Sequence, residues 1–281
     1  MTQTRATAAV KVLALRDDRA LDWPETVVGE EPLEIRCAPP GERASRVSVT
    51  MRTPGHDFEL AAGFLLAEGI VPDPSAICSV RYCVEAGEQR FNVVTVDLAV
   101  PVDLDGRRRE HTVSASCGVC GTSSIEDLEA RCQVAAPGPV VPAALLLGLP
   151  DTLRAHQELF ERTGGIHAAG LFDAAGELLA LREDIGRHNA VDKLLGWAAL
   201  EHRWPLAEAV LVVSGRVSFE IVQKAAVARI PIVVAVSAPS SLAVETARRL
   251  GMTLVAFARQ GRGNVYAGPE RVGVPTGAAG A

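Results

Sequence analysis

The sequence predicts an α/β protein in two parts, a small α+β unit followed by a larger one built on a parallel sheet. Three observations carry this. The runs "AEAVLVVSG", "IPIVVAVSA" and "MTLVAFAR" near the end are continuously apolar, as strands buried on both faces must be. Between them lie two amphipathic segments, "SFEIVQKAAVAR" and "SSLAVETARRLG", with Ser218 and Ser240 placed as helix caps. That alternation is β-α-β-α-β, which requires right-handed crossovers in a parallel sheet. Upstream, "AAPGPVVPAALLLGLP" (residues 135–150) is rich in Pro and Gly and separates two periodic regions.

Taken in order, residues 1–20 show no periodic apolar pattern and read as a flexible start. "RVSVTMRT" alternates as a strand does. "TPGHDFELAAGFLLAEGI" reads as a helix, with Pro54 near its start, acids in its first turn and Gly69 as its stop. "RFNVVTVDLAV" and "REHTVSAS" are two more strands, the second leading into "SASCGVCGTSS". An N-terminal α+β unit over residues 21–134 is expected to end with this cysteine loop and its helix. The C-terminal unit, residues 143–267, opens with a helix around "DTLRAHQELFERTGG". A hairpin turning at Ala175-Gly176 follows, and then a helix in "HNAVDKLLGWAAL". Residues 268–281 read as a flexible tail.

With 281 residues, 48% hydrophobic and 22% charged, the chain can build two cores. A formal charge of −6 excludes a protein that coats nucleic acid. The basic run "GRRRE" (Gly106 to Glu110) reads as a solvated loop, or as a dock for an acidic partner. No apolar run reaches the roughly 18 residues of a membrane span, and no secretory leader is evident. A cytoplasmic location follows as the expectation, and there the six cysteines are thiols. Cys37, Cys78, Cys83 and Cys132 are scattered and read as core filler.

In parallel sheets, ligands collect beyond the carboxyl ends of the strands. The loops there, "SGRVS", "SAPSS" and "ARQGRGN", offer Ser214, Arg216, Ser237, Arg259 and Arg262, which suit a phosphate-bearing, nucleotide-like ligand. Cys117 and Cys120 stand in a glycine-rich loop ahead of a capping-box pattern (Ser123 with Glu126, or Ser124 with Asp127). A helix N-terminus favours the thiolate. Four uses are open to such a pair. Zinc needs four ligands and one pair supplies two. Deaminase chemistry needs H-x-E upstream, whereas "HQE" (His156 to Glu158) lies downstream. Thioredoxin-like redox motifs follow the first strand of a βαβ unit. A purely structural turn stays open beside the fourth use, a thiol that accepts and passes on a group such as persulfide sulfur.

Together and in order, "RTPGHDFELAAGFLLAEGI", "CGVCG", "TGGIHAAGLF", "REDIGRHNAVDK", "SGRVSFEIVQKAA", "SAPSSLAVE" and "NVY" resemble the formate dehydrogenase accessory sulfurtransferase (FdhD) family over roughly Val28 to Tyr266. The resemblance implies a cytidine-deaminase-like fold for the C-terminal unit, without the zinc site and with no metal of its own. It implies a sulfurtransferase with a persulfide intermediate on Cys117, assisted by Cys120. Sulfur would come from a cysteine desulfurase. It would pass to the molybdenum bis-(molybdopterin guanine dinucleotide) cofactor, bound as substrate, before that cofactor enters formate dehydrogenase. A homodimer is implied too, with no nucleic acid or membrane as partner. The segment Phe257, Ala258, Arg259, Gln260, Gly261, Arg262 is implied as part of the cofactor site, with His188 and Asn189 as further lining. His56 and His167 read as structural histidines. The alternatives are a non-catalytic cofactor chaperone and a zinc-binding interaction module.

Overall fold

The structure, a computed structural model, describes residues 5–85, 88–102 and 138–274. Two sheets face each other across a pair of helices. The first sheet holds β3 (Glu31–Ala38), β4 (Ser45–Arg52), β5 (Ile77–Glu85) and β6 (Glu88–Leu98) in the order β4-β3-β6-β5. Helix α1 (Asp57–Ala67) covers it, and Leu60 and Leu65 pack with Leu33, Ile35, Val94 and Val96.

The second sheet has six strands in the order β13-β12-β11-β10-β8-β9. They are β8 (His167–Phe172), β9 (Leu178–Asp184), β10 (Val210–Val213), β11 (Ile232–Ala235), β12 (Thr253–Arg259) and β13 (Arg262–Ala267). Strands β10, β11 and β12 run parallel, as expected, whereas β8, β9 and β13 are antiparallel to their neighbours. The sheet is therefore mixed, a correction to the all-parallel expectation. Its apolar runs are explained by burial on both sides. Val210 and Val212 face α2 (Ala143–Ala155), while Leu211 and Val213 face α4 (Arg187–Leu200), α5 (Phe219–Val227) and α6 (Ser241–Arg249). Helices α1 and α4 pack on one another and join the two halves.

Several expectations are corrected. Residues 7–28, expected to be flexible as far as residue 20, form a hairpin of β1 (Thr7–Arg16) and β2 (Arg19–Val28). The Pro- and Gly-rich stretch is not all linker. Leu146, Leu149 and Leu153 form a buried stripe at helical spacing, and that burial outweighs the cost of Pro150 inside α2. The helix expected around "DTLRAHQELFERTGG" is broken: α2 ends at Ala155 and a short α3 (Glu158–Thr163) follows. The supposed tail continues to β14 (Val272–Gly273), which pairs with β7 (Val141–Pro142). Ser240 caps α6 by accepting from the Ala243 N–H at 3.2 Å, but Ser218 makes no such cap on α5. Cys78 is exposed, not core filler. Among the described residues no helix is long and apolar enough to cross a membrane. The expected strand "REHTVSAS", "GRRRE" and Cys132 lie outside the described residues.

Candidate functional site: a cleft at the strand ends

Where β10, β11 and β12 end, the chain opens a cleft of about 590 Å³. Its floor is formed by Ser214 after β10, Val236 after β11, and Ala258 and Arg259 at the end of β12. The facing wall comes from the last turn of α2 and the segment through α3, including Leu153, Arg154, Gln157 and Phe160. Gly164, with φ 66°, ends α3 in a left-handed turn that glycine adopts without strain, and Ile166 and His167 then re-enter the sheet along the cleft.

The wall is held from below. The Glu183 carboxylate accepts from the backbone N–H groups of Leu159 (2.8 Å) and Phe160 (2.9 Å), which fixes the start of α3. Arg154 pairs with Glu161 at 2.8 Å and its guanidinium lies 4.3 Å from the Phe160 ring centroid. That charge is neutralised and the pair offers a flat surface. Ser214 Oγ accepts from the Ala168 N–H at 2.9 Å, leaving its own O–H to donate. Gln157 is only 4% exposed, and its Nε2 has no hydrogen-bond partner among the described residues.

The hairpin from β12 to β13 replaces the loop expected after a last strand. Arg259 pairs with Arg262 across it, and Gln260 (φ 52°) and Gly261 (φ 70°) make the two-residue turn. Left-handed dihedrals at both central positions match the twist of the flanking strands. Gly261 is thus explained by the turn, and a Cβ there would meet nothing within 4 Å. Phe257, at φ 55° beside a register shift, is 38% exposed.

The expected site residues divide into two groups. Ser214, Ala258 and Arg259 come together in the cleft, with Arg216 and Ser237 next to its floor in sequence. His188 and Asn189 are not in its lining. Asn189 Nδ2 donates to the Met51 carbonyl (2.7 Å) and to Asp184 Oδ1 (3.1 Å), so it ties the two sheets together. His188 Nε2 lies 3.1 Å from Ser218 Oγ and 3.9 Å from Glu220. Burial first, then the charges of Arg187 and Lys224, push its imidazole down to about 4. Other charges of "REDIGRHNAVDK" serve the fold: Lys193 pairs with Asp184 at 2.7 Å, and Asp192 with Lys224 at 2.8 Å.

His56, as expected, serves the fold, preceding α1 with φ 56° and pairing with Glu59. His167, read as structural, instead lines the cleft. Gln157 and Phe160 were missed, because no periodic pattern marks a wall made of a helix end and a loop. Cys117 and Cys120 lie outside the described residues. Of the described thiols, Cys37 is pushed up to about 12 by burial and is therefore inert.

The FdhD/NarQ family matches residues 28–273. The chain is 49% identical to the "Sulfur carrier protein FdhD" of Mycolicibacterium paratuberculosis, over 96% of this chain and 100% of the relative. It is 50% identical to the protein of that name from Mycobacterium tuberculosis, over 95% and 99%. A crystal structure described as a formate dehydrogenase accessory protein from Desulfotalea psychrophila superposes with a TM-score of 0.73 at 27% identity, covering 95% of this chain and 99% of that one. With residues 28–273 matched by the family and 95–96% of its length covered by these relatives, the chain belongs to the FdhD/NarQ family.

Proposed function

We propose that this chain is a sulfur carrier for formate dehydrogenase maturation. It takes sulfur from a cysteine desulfurase as a persulfide and passes it to the molybdenum bis-(molybdopterin guanine dinucleotide) cofactor. Cys117 attacks the donor persulfide, the outer sulfur moves onto Cys117, and the donor leaves as a thiolate. Cys120 assists release by thiol exchange: its thiolate attacks the inner sulfur of the Cys117 persulfide, and the outer sulfur leaves as hydrosulfide to the cofactor. A dithiol reductant then reduces the Cys117–Cys120 disulfide. The same reading takes the C-terminal unit as cytidine-deaminase-like and the protein as a cytoplasmic homodimer.

The observation that carries the cofactor half is the cleft. Its apolar walls suit a heterocycle, and Arg259 with the Ser214 hydroxyl meets phosphate at the strand ends. The family match carries the sulfur half. Mass spectrometry of the chain after incubation with a cysteine desulfurase and cysteine tests it. A gain of one sulfur atom is expected, lost in Cys117→Ala. No gain leaves a cofactor chaperone in place of a sulfur carrier. A gain that persists at Cys120 in Cys117→Ala, with the recipient enzyme still active, reverses the two roles.

A further inference from the structure

One corner of the cleft carries positive charge that the fold does not use. Arg187, the first residue of α4, runs past Gly215. A Cβ on Gly215 would lie 3.7 Å from Arg187 Cδ and 3.3 Å from Nδ1 of His167. His167 and Ser214 line the cleft, so Arg187 adjoins it. Its Nε is buried and has no hydrogen-bond partner among the described residues.

The carboxylate three residues back is not available to it. Asp184 already accepts from Lys193 Nζ (2.7 Å), the Gly186 N–H (2.8 Å), the Thr53 N–H (3.2 Å) and Asn189 Nδ2 (3.1 Å). Arg216, next to Gly215, is exposed. Burial, and then the charges of Arg187 and Arg216, hold the His167 imidazole below its usual range. In the wall of the same cleft, the buried Gln157 Nε2 is a second donor without an acceptor among the described residues.

The unmet groups around this corner are all donors, and two of them are cationic. A guanidinium N–H buried without an acceptor is costly, and the N-terminus of α4 adds positive potential beside it. These donors suit an anion with several acceptor oxygens. A lone carboxylate would meet one fork, whereas a diphosphate meets two arginines at once.

We propose that Arg187 and Arg216 anchor the diphosphate of the nucleotide that the cleft takes. This rests on the nucleotide reading above and extends it to two residues of the corner. Arg187 grips from the buried side and Arg216 closes from the solvent side, with the Ser214 hydroxyl donating between them.

Calorimetric titration of the full chain with guanosine diphosphate, guanosine and inorganic pyrophosphate tests it. Arg187→Gln is expected to weaken the diphosphate and pyrophosphate roughly tenfold or more, with guanosine unchanged within about twofold. Arg187→Lys should recover part of the loss, since an ammonium keeps the charge without the planar fork. Unchanged diphosphate affinity in a folded Arg187→Gln protein overturns the assignment, and so does an equal loss for guanosine. If that variant does not fold, Arg216→Gln, at an exposed position, must give the same pattern. Pyrophosphate binding that depends on Arg187, with no binding of either guanosine compound, overturns the nucleotide reading and keeps the anion corner. A wild-type chain that binds none of the three overturns both.

Discussion

Gly63 of α1 and Gly196 of α4 each lie against the backbone of the other helix. A Cβ on Gly63 would stand 1.8 Å from the Asp192 carbonyl oxygen, and one on Gly196 would stand 1.8 Å from that of Glu59. This crossing joins the two sheets, because α1 covers the first and α4 the second. Alanine in place of a helical glycine normally stabilises by about 1 kcal/mol. Here the obstacle is backbone, which cannot rotate away, so the helices must separate. Gly63→Ala and Gly196→Ala are each expected to destabilise by about 1–3 kcal/mol or more, read as a lower midpoint in urea unfolding. A raised midpoint would show that the crossing is looser than described.

The Lys193–Asp184 pair is next. Both side chains are buried, and Lys193 Nζ also donates to the Thr53 carbonyl at 2.9 Å. Removing one partner leaves an uncompensated buried charge, so Lys193→Met should cost about 3–5 kcal/mol. Adding Asp184→Asn removes the stranded charge, and the double variant should lose less than the sum of the singles. Additive losses in denaturant would rule out coupling between them.

His188 gives a pH test. Its folded value, about 4, lies below the 6.5 of an unperturbed imidazole. The unfolded chain therefore binds the proton first. The stabilising contribution is complete above pH 6.5 and is lost as pH falls towards 4. Asp192 acts with the opposite sign. Burial raises it from 3.8 to about 6, so its contribution fades as pH rises through that window. Because the two oppose each other, melting temperature is a poor reporter, and NMR reads the site directly. The His188 ring protons should keep their shifts from pH 8 to 5.5 and move only near pH 4. A midpoint close to 6.5 would contradict the burial described here.

At the β12–β13 turn, Arg259 lines the cleft while Arg262 starts the exposed edge strand. Arg259→Ala plus Arg262→Ala should weaken guanosine diphosphate tenfold or more, with most of the loss already present in Arg259→Ala alone. Persulfide loading of Cys117 should persist in the double variant. Calorimetry that finds Arg262→Ala as damaging as Arg259→Ala would move the ligand outward onto the edge strand. Loss of loading as well would mean that both steps share one surface.

The sequence by itself determined the β-α-β-α-β core, the hairpin at Ala175-Gly176 and the strand ends where Ser214 and Arg259 meet. Each of those is a local signal: an apolar run, a helical stripe, or a turn residue that needs its own dihedrals. It also placed the chain in its family through motifs whose order no composition rule supplies. Tertiary structure decided the rest. Asn189 of "REDIGRHNAVDK" was expected with His188 to line the site, yet Asn189, like Asp184 and Lys193, is spent on Thr53 and Met51, residues more than 130 positions away. A polar side chain does not announce its partner, so bound and free look alike in sequence. Nothing local in the sequence marks Gly63 and Gly196 either, since only the crossing of two distant helices makes their missing side chains necessary. Arg187 stands between two side chains that the fold consumes, and it is set apart only by its Nε, which meets no acceptor among the described residues.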